Sequence, residues 1–229
     1  MGEFERFVRG LPADEVERGR RLFRAVRVER GELFVRAGDP PNRVALVERG
    51  LFRLFGTDEA GNERTLAFRA EGELVCAYSA ALRQEPSRIA IEALEPSDLL
   101  VAERPAYDVL VAESPGWRQL VADLTEALYL RLDQRQRELL LDDASTRYQR
   151  FVADHGALAS RLTQRHIAAY VGVTPEALSR IRRRLISIND SGSGRIYRPG
   201  HDDDARDGSR PGGARSNSPA AGPAGAGAG

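Results

Sequence analysis

The sequence predicts an α+β chain with an N-terminal antiparallel β module, one long helix and a C-terminal helix-turn-helix. Three observations carry that expectation. Between residues 28 and 103, short apolar runs alternate with turn residues at strand spacing. From Ser114 a single amphipathic pattern continues for about 25 residues, well beyond the ~11–12 residue mean of globular helices. Residues 162–185 then read as helix, glycine turn and capped, arginine-rich helix.

Taken in order, Phe4, Phe7, Val8, Leu11, Val16, Leu22, Phe23 and Val26 recur at helical spacing up to residue 28. The stretch Leu11-Pro12-Ala13-Asp14 breaks that pattern, which gives two short amphipathic helices. The strand runs follow at 32–35, 44–47, 51–55, 65–68, 89–94 and 99–102. They are separated by Gly31, Gly38-Asp39-Pro40, Gly50, residues 58–62 and Pro96-Ser97-Asp98, the punctuation of an antiparallel sandwich or barrel. Pro105 opens a further helix. Ser114 followed by Pro115 then makes a good start for the long one, because a cap oxygen meets orphan N–H groups and proline lacks one anyway. That helix carries Trp117, Leu120, Val121, Leu124, Leu128, Leu132 and Leu139.

The length and periodicity of this helix resemble a coiled-coil seam, so a homodimer interface through Trp117, Leu120, Leu124, Leu128 and Leu132 is expected; the alternative is a helix lying on its own domain. Residues 144–155 read as another helix. From residue 199 the chain is rich in Gly, Ala, Ser and Pro, with an Asp202-Asp203-Asp204 run, and cannot offset its ordering entropy, so a disordered tail is expected. The implied segments are 1–113, 114–142, 143–198 and 199–229.

Composition narrows the function classes. Lys plus Arg and Asp plus Glu stand at 34 each, so any basic surface must be local. Cys76, the single cysteine, excludes an intrachain disulfide and any all-cysteine metal or iron–sulfur site made by one chain. No run approaches the roughly 18 apolar residues of a membrane span, and the charged N-terminus is unlike a signal peptide. A cytoplasmic protein with no membrane partner is expected.

The stretch LTQRHIAAYVGVTPEALSRIRRRL carries the most chemistry. Thr163 can cap a first helix whose inward face is His166 or Ile167, Tyr170 and Val171, and Gly172 supplies a left-handed turn. Thr174 then caps a second helix, with Pro175 at its first position and Glu176 favourable to the helix dipole. Ala177, Leu178, Ile181 and Leu185 form one apolar face of that helix. Glu176, Ser179, Arg180, Arg182, Arg183 and Arg184 form the other. Such a helix suits a DNA major groove, where its N-terminal half reads base edges and arginines neutralise phosphates. Together with the capping residues Thr163 and Thr174, these six are the candidate DNA-binding set.

This segment resembles the DNA-binding part of the Crp/Fnr family, and RGELFVRAGDPPNRVALVERGLFRLF (residues 30–55) resembles that family's β-roll; together the likeness covers roughly residues 5–185. The resemblance implies a jelly-roll-like cyclic nucleotide-binding fold as sensor, a long helix pairing two subunits, and a winged helix-turn-helix docking on a palindromic double-stranded site, with RNA polymerase as a further partner. By likeness Glu176 and Arg180 hold the main base-reading positions, where Glu could accept from a cytosine amino group and Arg could grip guanine O6 and N7. Pro175 departs from the polar or basic reader of many members. Residues 185–188 and 195–198 flank a turn-rich stretch and read equally as a wing hairpin or an irregular exit.

Members that bind cyclic AMP use a glutamate for the ribose and an arginine followed by a small hydroxyl residue for the cyclic phosphate. Here Gly72-Glu73-Leu74 imitates one signature. Anchoring on the strand at 89–93, however, puts Ala77 at the ribose position and Ser87 at the arginine position, with Arg88 one residue late. A one-residue shift turns a side chain to the opposite face of a strand, so a degenerate pocket is expected around Glu73, Ser87 and Arg88. No cofactor is expected, and a cyclic nucleotide is disfavoured. A cyclic nucleotide-responsive module regulating a partner protein is the competing reading, but it leaves the arginine-faced helix without a role. A metal-dependent cupin enzyme would want histidines on the β module, and His155, His166 and His201 all lie beyond it. No catalytic constellation is apparent, so the chain is not expected to be an enzyme.

Overall fold

In the computed structural model, which describes residues 2–191, the chain opens with helices α1 (Glu3–Phe7) and α2 (Ala13–Leu22). The expected break separates them. Helical periodicity stops short of residue 28, because Arg24–Val28 is strand β1, paired antiparallel with β8 (Ser97–Glu103) along its whole length. The strands between are β2 (Leu33–Val35), β3 (Arg43–Arg49), β4 (Phe52–Thr57), β5 (Glu63–Arg69), β6 (Leu74–Val75) and β7 (Ala90–Ala93), with the short helix α3 (Tyr78–Arg83) before β7.

They form two four-stranded antiparallel sheets, ordered β1-β8-β3-β6 and β2-β7-β4-β5. Ala45 and Val47 of β3, Phe52 and Leu54 of β4, Ile91, Leu99 and Val101 fill the space between the sheets. Val44 and Leu46, on the other face of β3, are equally buried under the helices, which explains why β3 reads as a continuous apolar run instead of alternating.

Helix α4 (Arg104–Glu113) leads into α5 (Pro115–Leu141). Ser114 precedes α5 as expected, yet its side chain does not cap the helix. The Glu15 carboxylate of α2 does so instead, accepting the N–H of Gly116 at 3.3 Å and of Trp117 at 3.2 Å. A buried acid at a helix N-terminus satisfies orphan donors and complements the dipole.

Trp117 is fully buried and packs on Phe7, Phe23 and Tyr107, with its indole N–H donating to the Glu15 carbonyl at 3.0 Å. This corrects the expected seam. Trp117 belongs to the chain's own core, Leu120 packs against the same cluster, and Leu124 and Leu128 are half-buried; Leu132 alone of the five is exposed, at 59%. The apolar outer face of the β1-β8-β3-β6 sheet recruits the most hydrophobic face of α5 for itself.

Helices α6 (Ala144–Ala159), α7 (Gln164–Val171) and α8 (Pro175–Ser191) complete the described chain. Phe151, Leu162, Ile167, Val171 and Leu178 form their core, which is continuous with Leu51, Phe68 and Leu94 of the β sandwich. Residues 185–188, read equally as one strand of a wing hairpin or as part of an irregular exit, instead continue α8. The rest of that hairpin and the tail from residue 199 lie outside the described residues. No described helix is long and apolar enough to cross a membrane.

Candidate nucleic-acid interface and effector region

The start of each helix of the helix-turn-helix is fixed by a local bond. Thr163 Oγ1 accepts the His166 N–H at 3.3 Å, and Thr174 Oγ1 accepts the Ala177 N–H at 3.2 Å. Gly172, at φ +82°, closes α7 in the left-handed conformation that glycine adopts without a Cβ clash. Two arginines secure the carbonyl end of α7: Arg147 Nε donates to the Val171 carbonyl at 2.9 Å, and Arg135 of α5 donates to the Tyr170 carbonyl. Cations at a helix C-terminus complement its dipole, so α5 and α6 hold α7 in place.

Helix α8 buries Leu178 and half-buries Ala177, Ile181 and Leu185, which turns Glu176, Arg180, Arg182, Arg183 and Arg184 outward, with Ser179 half-buried between them. Glu176, Ser179, Arg180 and Arg183 line one open groove together with Pro175 and Gln164. Gln164 is absent from the sequence-derived set. Its Nε2 donates to the Pro175 carbonyl at 3.1 Å, joining the start of α7 to the start of α8. The only available signal was its place directly after the cap Thr163. Thr163 and Thr174 spend their hydroxyl oxygens on capping, so they fix where α7 and α8 begin.

Electrostatics suit this groove to a base-reading role. Its own backbone N–H and the Thr174 hydroxyl hold the Glu176 carboxyl below its ordinary value, with Arg180 adding to the effect, so it is an ionised acceptor at neutral pH. Arg183 reaches Ser179 Oγ at 3.5 Å, beside the exposed guanidinium of Arg180. An acceptor and a fork of donors on one helical face can distinguish base edges, while flanking arginines meet phosphates.

The expected effector residues do not converge. Glu73 accepts the Ala70 N–H at 3.0 Å and pairs with Arg131 of α5 at 2.9 Å. Ser87 is buried, but its hydroxyl turns back on Ile89, donating to the carbonyl at 2.7 Å and accepting the N–H at 3.2 Å. The Arg88 side chain is 86% exposed and its nearest acid is Glu85, at 3.8 Å. Ala77 and Ala80 pack into the inter-sheet core with Phe52 and Ile91. Burial of its sulfur pushes the Cys76 thiol up to about 11, which keeps it protonated at neutral pH.

Two histidines lie where the helices meet the sandwich. His155 stacks on Phe151 at 5.3 Å beside Tyr170, and His166 is half-buried near Arg53 and Glu92. The Nδ1 of each is buried with no hydrogen-bond partner among the described residues. Burial lowers both below the ordinary histidine value; Arg53, Arg165 and Arg30 add to this at His166 against Glu92, and Arg135 adds at His155 against Asp154, Glu73 and Glu138. The unfolded chain therefore binds more protons than the native one as pH falls through about 6.5, and stability drops across that window. The midpoint of thermal unfolding is expected to be lower at pH 5.5 than at pH 7.5, and a His155→Phe/His166→Gln variant should lose most of that difference. An equal drop in the variant would show that other groups carry it. The Glu71 carboxyl cannot supply it: burial favours its neutral form, but Arg161 and the Gly50 N–H hold it down to about 2.

Residues 25–114 match the cyclic nucleotide-binding domain family. No curated protein sequence matches significantly. Among solved structures, the catabolite activator protein of Thermus thermophilus is 26% identical at a TM-score of 0.50, over 80% of this chain and 87% of its own. FixK2 from Bradyrhizobium japonicum is 20% identical at a TM-score of 0.64, over 73% and 86%. CLP of Xanthomonas campestris, a c-di-GMP-responsive global regulator, is 18% identical at 0.65, over 78% and 93%. Residues 25–114 thus match the cyclic nucleotide-binding domain, and the chain as a whole resembles these solved proteins in its α+β fold.

Proposed function

We propose that the chain is a sequence-specific DNA-binding transcription regulator that acts as a homodimer and takes an effector other than cyclic AMP, or none. The observation that carries this reading is the single groove of α7 and α8 in which Glu176, Ser179, Arg180, Arg183 and Gln164 face outward while Leu178 is buried. The likeness to the Thermus thermophilus catabolite activator protein supports it.

For the dimer, the support is an exposed stripe on α5. Ala122 and Tyr129 stand seven residues apart, as do Leu132 and Leu139, and all four are exposed. A seven-residue apolar repeat is the seam two parallel helices share. For the effector, the support is chemical: a cyclic phosphate needs a cation inside the sandwich, whereas Ser87 is self-satisfied and Arg88 points into solvent.

Selection from a random double-stranded library, followed by titration of the recovered sequence, tests the reading. Arg180→Ala should weaken binding by roughly 1–3 kcal/mol and relax preference at one base pair, whereas Arg183→Ala should weaken all sequences about equally and reduce the salt dependence. Failure to enrich any sequence would overturn the proposal. Equal loss of discrimination from both substitutions would overturn the two roles.

A further inference from the structure

Arg161 occupies the turn between α6 and α7, just before the cap Thr163. Nothing in its sequence surroundings marks it out from the other arginines. In the folded chain its guanidinium meets two carboxylates of the β sandwich. Nη1 and Nη2 donate to Glu71 at 3.0 and 2.9 Å, while Nε and Nη2 donate to Glu95 at 3.3 and 2.5 Å. Glu71 lies in the β5–β6 turn and Glu95 in the β7–β8 turn. Glu71 also accepts the N–H of Gly50, in the β3–β4 turn, at 2.8 Å. One side chain from the helical region thus gathers three turns at one end of the sandwich.

Apolar contact surrounds this node. Leu51, Leu94 and Leu162 each follow or precede one of its members in sequence, and all three are buried in the core shared by sandwich and helices. The bonds are charge-assisted and partly shielded, with the Arg161 side chain 28% exposed. They are also directional, because a planar guanidinium satisfies two carboxylates only from a narrow range of angles. Removing the arginine leaves two acids facing each other across the gap it bridged. The same position therefore both attracts and orients.

Helix α7 leaves directly from this anchor, and α8 is fixed to α7 through Gly172 and the Gln164–Pro175 bond. We infer that Arg161 is a positioning residue for DNA recognition: it latches the helix-turn-helix to the β sandwich, so that the two reading helices of a dimer meet half-sites at one spacing. This rests on the DNA-binding reading above. Arg161 itself need not touch DNA, and its effect should appear in geometry more than in base preference.

The test uses the full-length protein and the library-selected duplex, that duplex with one base pair inserted between half-sites, and an isolated half-site. One inserted pair moves a half-site by about 3.4 Å along the axis and rotates it. The wild type should lose at least tenfold in affinity on insertion. Arg161→Gln should bind the original duplex more weakly and the half-site equally, with its preference between the two spacings reduced to within about twofold; Glu71→Gln/Glu95→Gln should do the same. Spacing discrimination retained in both variants would overturn the latch while leaving DNA binding intact.

A DNA-free measurement keeps the latch falsifiable even if no sequence is selected. Spin labels at Glu59→Cys and Ile186→Cys, both exposed positions, report the separation of sandwich and α8; half-buried Cys76 is replaced by alanine in every labelled protein so that it takes no label. Arg161→Gln should broaden a narrow distance distribution, and Arg161→Lys should restore it only in part, since an ammonium cannot bridge both acids in a fork. An unchanged distribution in Arg161→Gln would overturn the inference.

Discussion

Replacing Trp117 by alanine is expected to lower the unfolding free energy by about 3–5 kcal/mol and to leave the oligomeric state unchanged. The indole is fully buried, lies near-parallel to Phe23 at 6.3 Å and edge-on to Tyr107 at 6.0 Å, and is bonded to the Glu15 carbonyl. Truncation would leave a cavity and remove the indole bond to the Glu15 carbonyl. The fit also leaves α2 no slack, because a Cβ added at Gly19 would stand 2.2 Å from Cζ2 of the indole. Denaturant unfolding followed by circular dichroism reads the stability, and sedimentation reads the assembly. The contrasting variant is Leu132→Asp/Leu139→Asp, which should turn a dimer into monomers with little change in monomer stability, since both leucines are at least half exposed. Dissociation of Trp117→Ala, with the leucine variant still dimeric, would reverse the two assignments.

Phe151→Ala should cost a similar ~3–5 kcal/mol, but in a different part of the chain and with a functional consequence. Phe151 is 2% exposed and stands at the centre of an aromatic group: His155 at 5.3 Å, Tyr170 at 5.4 Å and Phe68 of β5 at 6.4 Å. It is the floor on which α7 rests against the sandwich. Trp117 is the sole tryptophan and sits on the opposite sheet's helical cover, so its fluorescence reports the N-terminal core alone, whereas circular dichroism also includes the signal of α6, α7 and α8. In Phe151→Ala the helical signal should melt at lower urea than the fluorescence, and affinity for a selected DNA should fall with it. Coincident transitions at the wild-type midpoint would show that the sandwich and the helices do not depend on this contact.

What the sequence determined by itself is the part of the protein whose interactions are short-range along the chain. Thr163, Gly172, Thr174, Pro175 and Glu176 specify the helix-turn-helix because caps and left-handed turns connect residues one to four apart. The exposed arginine face of α8 follows from the same period. Glycine and proline turns likewise announced most strands of the sandwich. Short elements escaped: β6 has two residues and α3 six, too few for a period to register.

The tertiary structure alone decided matters that depend on distant partners. Glu15 caps α5 from about a hundred residues away, displacing the local candidate Ser114. The long helix carries two apolar faces, and its periodicity could not reveal which one the chain would consume. The sheet beneath took the face bearing Trp117, because covering its own apolar surface is intramolecular, and left Tyr129, Leu132 and Leu139 outside. Arg161 acquires its role only when two turns, 66 and 90 residues back along the chain, arrive on either side of it. Local bonds are written in residue order, whereas burial and ion pairing are settled by whichever groups the fold brings within a few ångströms.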